Sequence, residues 1–252
     1  MATDHAIGID IGGTGIKGAV VDLGTGELVT ERIKVRTPEG GRPADIVTAT
    51  RELLATLDAA VPGATPLPLG VCFPAVVKAG RTLSAANISH EWIGLRAEEL
   101  FEQAFGRHIH FINDADAAGY AESRYGAARD ARGLVILTTL GTGIGSALLY
   151  EGVLVPNSEL GHLELDGADA EDRAAYSAME RESLSWEEWA KRLQRYYRHL
   201  EFLFTPDLFV VGGGVSKHHE EFLPLLELTT PLVPAVHRNN AGILGAAALA
   251  MM

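Results

Sequence analysis

The sequence predicts an α/β protein made of two domains, each built on a mixed sheet. Three observations carry that expectation. A strand, glycine turn, strand, turn, strand unit opens the chain, HAIGIDIGGTGIKGAVVDLGTGELV, and a like unit, GLVILTTLGTGIGSALLYEGVLV over 133–155, opens its second half. After each unit, helical and strand patterns follow one another, as in α/β domains. The composition, 47% hydrophobic and 21% charged over 252 residues, is that of a folded chain with core enough for one large domain or two modest ones.

Each element has its own signal. In the first unit Ala6, Ile7, Ile9 and Ile11 precede the glycines, and Ala19, Val20 and Val21 follow them. Thr25-Gly26 marks a second turn, leading to a third strand at Leu28 and Val29. Ala44–Ala60 reads as a helix, with Ile46, Val47, Leu53, Leu54 and Leu57 on one stripe and Pro62-Gly63 ending it. LPLGVCF (67–73) is a short buried strand stopped by Pro74; Leu95–Phe105 is a second helix and HIHFIN (108–113) the next strand. The domain boundary is set near Asn113, giving a first domain over 1–112 and a second over 113–239. Beyond the second glycine unit come a long helix, Trp186–Phe204, a strand running into a glycine turn, LFVVGGG (208–214), and an apolar terminal helix over 240–252.

Charge and cysteine content exclude several classes. Lys and Arg number 21 against 33 Asp and Glu, a net charge of −12, which argues against a general nucleic-acid or membrane-surface binder. Cys72 is the only cysteine, so neither an intrachain disulfide nor a multi-cysteine zinc site can form. The opening MATDHAIGIDIGG has no basic n-region or long apolar run, and the apolar stretch Leu134–Tyr150 is broken by Gly141, Gly143 and Gly145. The expectation is a globular cytoplasmic protein with no nucleic-acid or membrane partner.

The first glycine loop, Gly13-Thr14-Gly15-Ile16-Lys17-Gly18, matches GxGxxG, a pattern that is weak by itself. A dinucleotide site needs a helix directly after the glycines, whereas Ala19-Val20-Val21-Asp22 reads as a strand; no GK[ST] is present for a Walker A loop. What remains is a hairpin tip whose backbone N–H groups approach an anion, with Thr14 and Lys17 as added donors. The bland alternative is a tight turn using glycine for positive φ. Two such loops, with Asp10 before the first, favour phosphate binding.

DIGGTGIKG, TTLGTGIG and VVGGG resemble the phosphate-1, phosphate-2 and adenosine motifs of the hexokinase/actin/Hsp70 superfamily, and PNSELGHLEL resembles the signature of ROK sugar kinases within it. LSWEEWAKRL is similar to the polyphosphate-using glucokinases and glucomannokinases of that family. The resemblance implies two ribonuclease H-like (hexokinase/actin/Hsp70-type) domains flanking a cleft, with the terminal helix packed back on the first. It further implies magnesium-dependent transfer of a phosphoryl group from polyphosphate or ATP to the 6-hydroxyl of glucose, with mannose as a further acceptor, and a homodimer. By the same resemblance, phosphate is bound by Gly12, Gly13, Thr14, Gly15 and Lys17 and by Gly141, Thr142 and Gly143, and adenosine by Gly212, Gly213 and Gly214. Asp10 is expected to hold magnesium through water; its alternative is a turn-initiating Asp.

Asn113-Asp114 follows a strand and precedes a helix-like run, so either residue suits an N-cap, while an Asp at a strand end can also take the proton of an attacking hydroxyl. The residues leave Asp116 as a rival; the resemblance assigns the base to Asp114. Sugar contacts carried over from the family are Asn87, Asn113, Asp114, Glu159 and His162, with Glu171 matched loosely. Two departures stand out. The cysteine-rich zinc motif of many relatives is missing after His162, so no zinc is expected, and Ala75 stands where many relatives have glycine.

Lys191, Arg192, Arg195 and Arg198 cluster on one side of the long helix; they read either as a solvated face balanced by Glu182, Glu187 and Glu188 or as a path for polyphosphate, which the resemblance favours. Trp186 and Trp189 read as core. Other functions considered are a strictly ATP-dependent ROK hexokinase, an N-acetylmannosamine kinase, a sugar-responsive ROK regulator, and an actin- or chaperone-like ATPase. The regulator lacks support because the phosphate hairpin starts where a helix-turn-helix would be needed.

Overall fold

The computed structural model describes residues 4–61, 63 and 66–251. Pro62, given above as a helix stop, lies outside them, as do residues 1–3 and Met252 at the limits of the expected domains. The chain divides into two units, one running to Ala121 and resuming at Asn240, the other covering Glu122–Asn239. The division therefore falls inside a helix rather than near Asn113. The first part of that helix, with Ala115, Ala117, Ala118 and Ala121 buried, goes with the first unit.

In the first unit, β1 (His5–Ile11), β2 (Gly15–Asp22), β3 (Ile33–Arg36), α1 (Pro43–Ala60), β4 (Leu69–Phe73), a small hairpin of β5 (Val77–Lys78) and β6 (Arg81–Thr82), α2 (Ala97–Phe105), β7 (Ile109–Asn113) and α3 (Asp114–Tyr125) follow in order. The sheet runs β3-β2-β1-β4-β7, antiparallel through the first three and parallel through β1, β4 and β7. One face buries Ile7, Ile9 and Ile11 together with Leu53, Leu57, Phe73, Trp92 and Phe101. The third strand is not at Leu28 and Val29, as the turn signal suggested. Asp22 closes the turn by accepting from the N–H groups of Gly24 and Thr25, and Leu28 makes only an isolated bridge to Val21. Pairing resumes at Ile33, where Ile33 and Val35 alternate with charged residues, a period-two pattern that marks a half-buried strand.

The second unit holds β8 (Leu134–Leu140), β9 (Ile144–Tyr150), β10 (Val153–Val155), β11 (Glu164–Leu165), β12 (Ala168–Asp169), α4 (Ala170–Ala174), α5 (Tyr176–Glu182), α6 (Trp186–Phe204), β13 (Leu208–Gly212), α7 (His219–Phe222) and β14 (Leu232–Pro234). Its sheet, β10-β9-β8-β13-β14, repeats the order of the first: an antiparallel three-strand meander extended by parallel strands. A capping box of Ser185 and Glu188 starts α6. Trp189, Leu193, Tyr196, Tyr197 and Leu200 of α6 are buried, and Trp189 Nε1 donates to Ala174 O (3.0 Å), so the tryptophan is core. The β11–β12 hairpin turns at Asp166-Gly167, both at positive φ (56° and 80°), the two-residue geometry that Asp-Gly favours.

The last helix, α8 (Ala241–Leu249), belongs to the first unit. It lies so close to the sheet that a Cβ at Gly8 would sit 1.9 Å from Ile243 O, and one at Gly70 1.9 Å from Ala246 O. Among the described residues no helix is long and apolar enough to cross a membrane.

Candidate active site

The first glycine loop is the tip joining β1 to β2, closed by Gly12 N–H to Gly15 O (3.0 Å) and tethered by Thr37 Oγ1 donating to Gly12 O (2.5 Å). None of its glycines takes positive φ, so the turn-conformation reading does not explain them. Space does. A Cβ at Gly13 would meet Asn87 O at 2.8 Å, and one at Gly15 would meet Lys34 Cε at 2.8 Å. Thr14 is exposed at the tip, and Asn87, itself at φ 56° and exposed, lies against it through Gly13. The second loop joins β8 to β9 and is closed by Gly141 N–H to Gly143 O (3.0 Å), with Thr142 exposed. Here a Cβ at Gly143 would sit 2.5 Å from Glu171 Oε2, while Gly141 faces open space.

Asp10, next to last in β1, stands directly opposite Lys17 on β2, and Lys17 Nζ donates to Asp10 Oδ2 (3.1 Å). Its other oxygen accepts from Cys72 Sγ (3.7 Å) on the neighbouring β4. Burial, then the Asp10 and Asp114 carboxylates, push the Cys72 thiol well above its usual range, so it stays an S–H donor. Asp10 is thus oriented by two donors, and the turn-initiating alternative is not what its side chain does. Among the described residues no three His, Cys, Asp or Glu side chains are grouped to hold a metal ion. A single half-buried carboxylate suits a cation that keeps most of its waters and is held mainly by phosphate, not one caged by protein.

At the end of β7 the capping falls to Asn113. Asn113 is buried; its Oδ1 accepts from the N–H groups of Ala115 (2.8 Å) and Asp116 (3.0 Å), and its Nδ2 donates to Ala75 O (3.0 Å). It is the cap of α3, and it also ties the helix start to the chain leaving β4. Ala75 is buried, so the departure from glycine there is a core methyl. Asp114, the first helical residue, is only half-buried, whereas Asp116 is fully buried.

In the second unit the ELGH segment forms a short turn, Leu160–His162, held by Ser146 of β9, whose Oγ donates to Ser158 O (2.7 Å) and accepts from Leu160 N–H (2.9 Å). His162 Nδ1 lies 2.9 Å from Asp169 Oδ2 and 3.9 Å from Glu171 Oε1. The Asp169 hydrogen bond, reinforced by the Glu171 and Glu159 charges, raises the imidazole above its ordinary value and favours its charged form. Burial raises Glu159. Glu171 Oε2 accepts from Ile144 N–H (2.9 Å), the first residue of β9, so the loosely matched Glu171 packs on the second glycine loop beside His162. Asp169 escaped the sequence reading; the Asp-Gly hairpin signal three residues earlier was its only trace. Gly213, at φ 82°, has its Cβ position 2.3 Å from Leu140 O and starts a short 3₁₀ turn, while Gly214 is exposed with open space around it.

Two of the four α6 cations are already matched by acids: Arg192 with Glu182 (2.5 Å) and Arg195 with Asp166 (2.9 Å). Among the described residues Lys191 and Arg198 are in no ion pair and are exposed.

The profile of the ROK family matches residues 6–174. A polyphosphate glucokinase of Mycobacterium tuberculosis is 45% identical over 244 residues, covering 96% of this chain and 90% of that protein. The crystal structure of an inorganic polyphosphate/ATP-glucomannokinase from Arthrobacter sp. strain KM superposes with a TM-score of 0.93 at 51% identity, covering 99% of both chains. A ROK family glucokinase from Streptomyces griseus, solved with glucose and AMPPNP, gives a TM-score of 0.83 at 25% identity over 98% of this chain and 99% of that one. With its paired sheets, two glycine hairpins and ELGH turn matched along nearly the whole length, this chain belongs to the ROK family.

Proposed function

We propose that this protein transfers a phosphoryl group from inorganic polyphosphate or ATP to the 6-hydroxyl of glucose, with mannose as a second acceptor. The reading is supported by full-length similarity to two polyphosphate-using sugar kinases at 45% and 51% identity. The observation that carries its chemistry is the arrangement at the start of α3, where Asn113 takes over the capping and Asp114 stays half-buried. In this reading the Asp114 carboxylate accepts the proton of the attacking hydroxyl; a weak base suffices, because bond formation to phosphorus lags in a loose transition state.

The sugar contacts in this reading are Asn87, Asp114, the second amide hydrogen of Asn113, Glu159, His162 and Glu171. A protonated imidazole flanked by carboxylates presents both donors and acceptors to vicinal hydroxyls. Toward the donor, the backbone N–H groups and hydroxyls of Gly12–Gly15 and Gly141–Gly143, with Lys17, bind phosphate, and the Gly212–Gly214 turn lies against adenosine when ATP is used. Magnesium, held by Asp10 through water, would neutralise phosphate charge. Because half of the α6 cations are paired internally, only Lys191 and Arg198 are left there for polyphosphate. The reading carries a cytoplasmic location and a two-copy assembly, checked by sedimentation.

Initial rates with magnesium, crossing ATP and long-chain polyphosphate against glucose, mannose and N-acetylmannosamine, test it. Sugar 6-phosphate formed from polyphosphate is the expected result; activity with ATP alone, or with N-acetylmannosamine in preference to glucose, overturns it. Asp114→Asn is expected to lower kcat by about 10²–10⁴-fold, the usual worth of a general base, with glucose binding retained by calorimetry. A fully active variant removes Asp114 from the role.

A further inference from the structure

Lys17 and Asp10 are not alone on their face of the first sheet. In the antiparallel register Lys17 stands opposite Asp10 on one side and Lys34 on the other, and Gly15 stands opposite Arg36. Alternate residues of a strand share a face, so Lys34 and Arg36 point to the same side as Lys17. Lys34 leans over the glycine hairpin, since its Cε is the atom that a Cβ at Gly15 would meet at 2.8 Å. Arg32, directly before β3, continues the alternation and donates from Nη1 to Asn240 Oδ1 (2.8 Å), the cap of α8. Arg36 shares a cavity of about 660 Å³ with Gly13 and Thr14 of the hairpin tip; Glu39 is the one acid in its wall.

We propose that Arg36, Lys34 and Arg32 form a track that binds the chain of linear inorganic polyphosphate beyond the units held at the Gly12–Gly15 tip; this rests on the reading of polyphosphate as a donor given above. Among the described residues none of the three is in an ion pair, in contrast to Arg192 and Arg195 of α6, which hold Glu182 and Asp166. On a chain of net charge −12, three cations in a row, none in an ion pair among the described residues, form a local positive field suited to a polyanion. Arg32, Lys34 and Arg36 are all exposed. Cations two residues apart on a strand recur at about 6.7 Å, a spacing that a flexible chain charged at every unit can meet without a fixed register. The row carries no aromatic side chain on which bases could stack, which favours polyphosphate over single-stranded nucleic acid. ATP, whose phosphates end at the hairpin tip, gains nothing from the track. The competing explanation is that charges on an edge strand block strand-to-strand aggregation.

The test is calorimetric binding to the full chain, wild type and Arg32→Gln/Lys34→Gln, of long-chain polyphosphate, tripolyphosphate and magnesium–ATP, at two salt concentrations. The expected result is about a tenfold weaker Kd for long-chain polyphosphate in the variant, two exposed charges each being worth a few-fold, with a shallower salt dependence and unchanged binding of tripolyphosphate and ATP. Lys34→Arg restores long-chain binding toward wild type. Unchanged long-chain affinity in the double variant, an equal loss for all three ligands, or a loss of solubility alone overturns the track. So does binding of single-stranded RNA by wild type as tightly as polyphosphate with the same loss in the variant. Wild type that binds long-chain polyphosphate through these residues but forms no sugar phosphate from it overturns the donor reading and leaves the track standing; wild type that does not bind it overturns the track.

Discussion

Removing the Asn113 amide gives the sharpest test of how this site is assembled. In Asn113→Ala the Asp116 N–H loses its acceptor inside a buried helix start, and Ala75 O loses its donor; the Ala115 N–H keeps Asp114 Oδ1 at 2.8 Å. Loss of the cap costs about 1 kcal/mol and a buried polar group left unsatisfied about 1–3 kcal/mol; because these overlap, the expected total is about 1–3 kcal/mol. Urea unfolding followed by circular dichroism measures it, and kcat should fall as well, because Asp114 is carried on the same turn. Asn113→Asp separates the two functions of the amide. It keeps the acceptors for Ala115 and Asp116 but sets a carboxylate oxygen 3.0 Å from Ala75 O, where a proton is needed. The introduced carboxyl therefore has a folded-state pKa above its unfolded value; the folded state binds the extra proton, and stability declines as pH rises above the ordinary carboxyl range. Asn113→Asp should approach wild type near pH 4 and fall below it by pH 8. A cost under about 0.5 kcal/mol for Asn113→Ala, within the scatter of a surface change, refutes the capping account, and a pH-independent Asn113→Asp refutes the role given to the Ala75 bond.

Two further perturbations address the second unit. Asp169→Asn removes the chief cause of the raised His162 pKa, so the imidazole should titrate at lower pH by NMR; because a raised histidine stabilises only while charged, any stability difference from wild type should be present at pH 6 and gone once pH passes the folded-state value, and it should be small, since both groups are about half exposed (57% and 48%). An unmoved titration breaks the proposed pair. Gly143→Ala places a methyl 2.5 Å from Glu171 Oε2 and must displace the carboxylate from Ile144 N–H, raising the KM for glucose by roughly ten- to a hundredfold, whereas Gly141→Ala, which meets nothing within 4 Å, should leave that KM unchanged; equal effects of the two would show that the steric account is wrong.

The elements most legible in the sequence are those whose pattern is local. The boundaries of α6 follow from Ser185 and Glu188 at one end and an apolar stripe along its length, and the two glycine hairpins from strands flanking a turn. The reason for the glycines was not legible, because it lies in Asn87 and Glu171, distant in sequence, pressing on the turns. The third strand was misplaced because a strong turn at Thr25-Gly26 drew it to Leu28; the alternation of Ile33 and Val35 with Lys34 and Arg36 is weaker but is the one that pairs. The difference in burial between Asp114 and Asp116 was not legible, because adjacent acidic residues at a helix start do not reveal it. Asp169 depended on a two-strand hairpin too short to leave an apolar pattern.

The seating of α8 bears on how the protein is made. Gly8 and Gly70 leave a backbone-lined trough on the first sheet that residues 241–249 alone fill. During synthesis the strands around that trough emerge from the ribosome first, yet the helix that covers them is translated only after the whole of the second unit. The first unit therefore waits, with one face of its sheet uncovered, until all of the second has been produced. A nascent chain stalled before residue 241 should be a ready client of holding chaperones, and a stop codon there should abolish the half of the protein that was translated first.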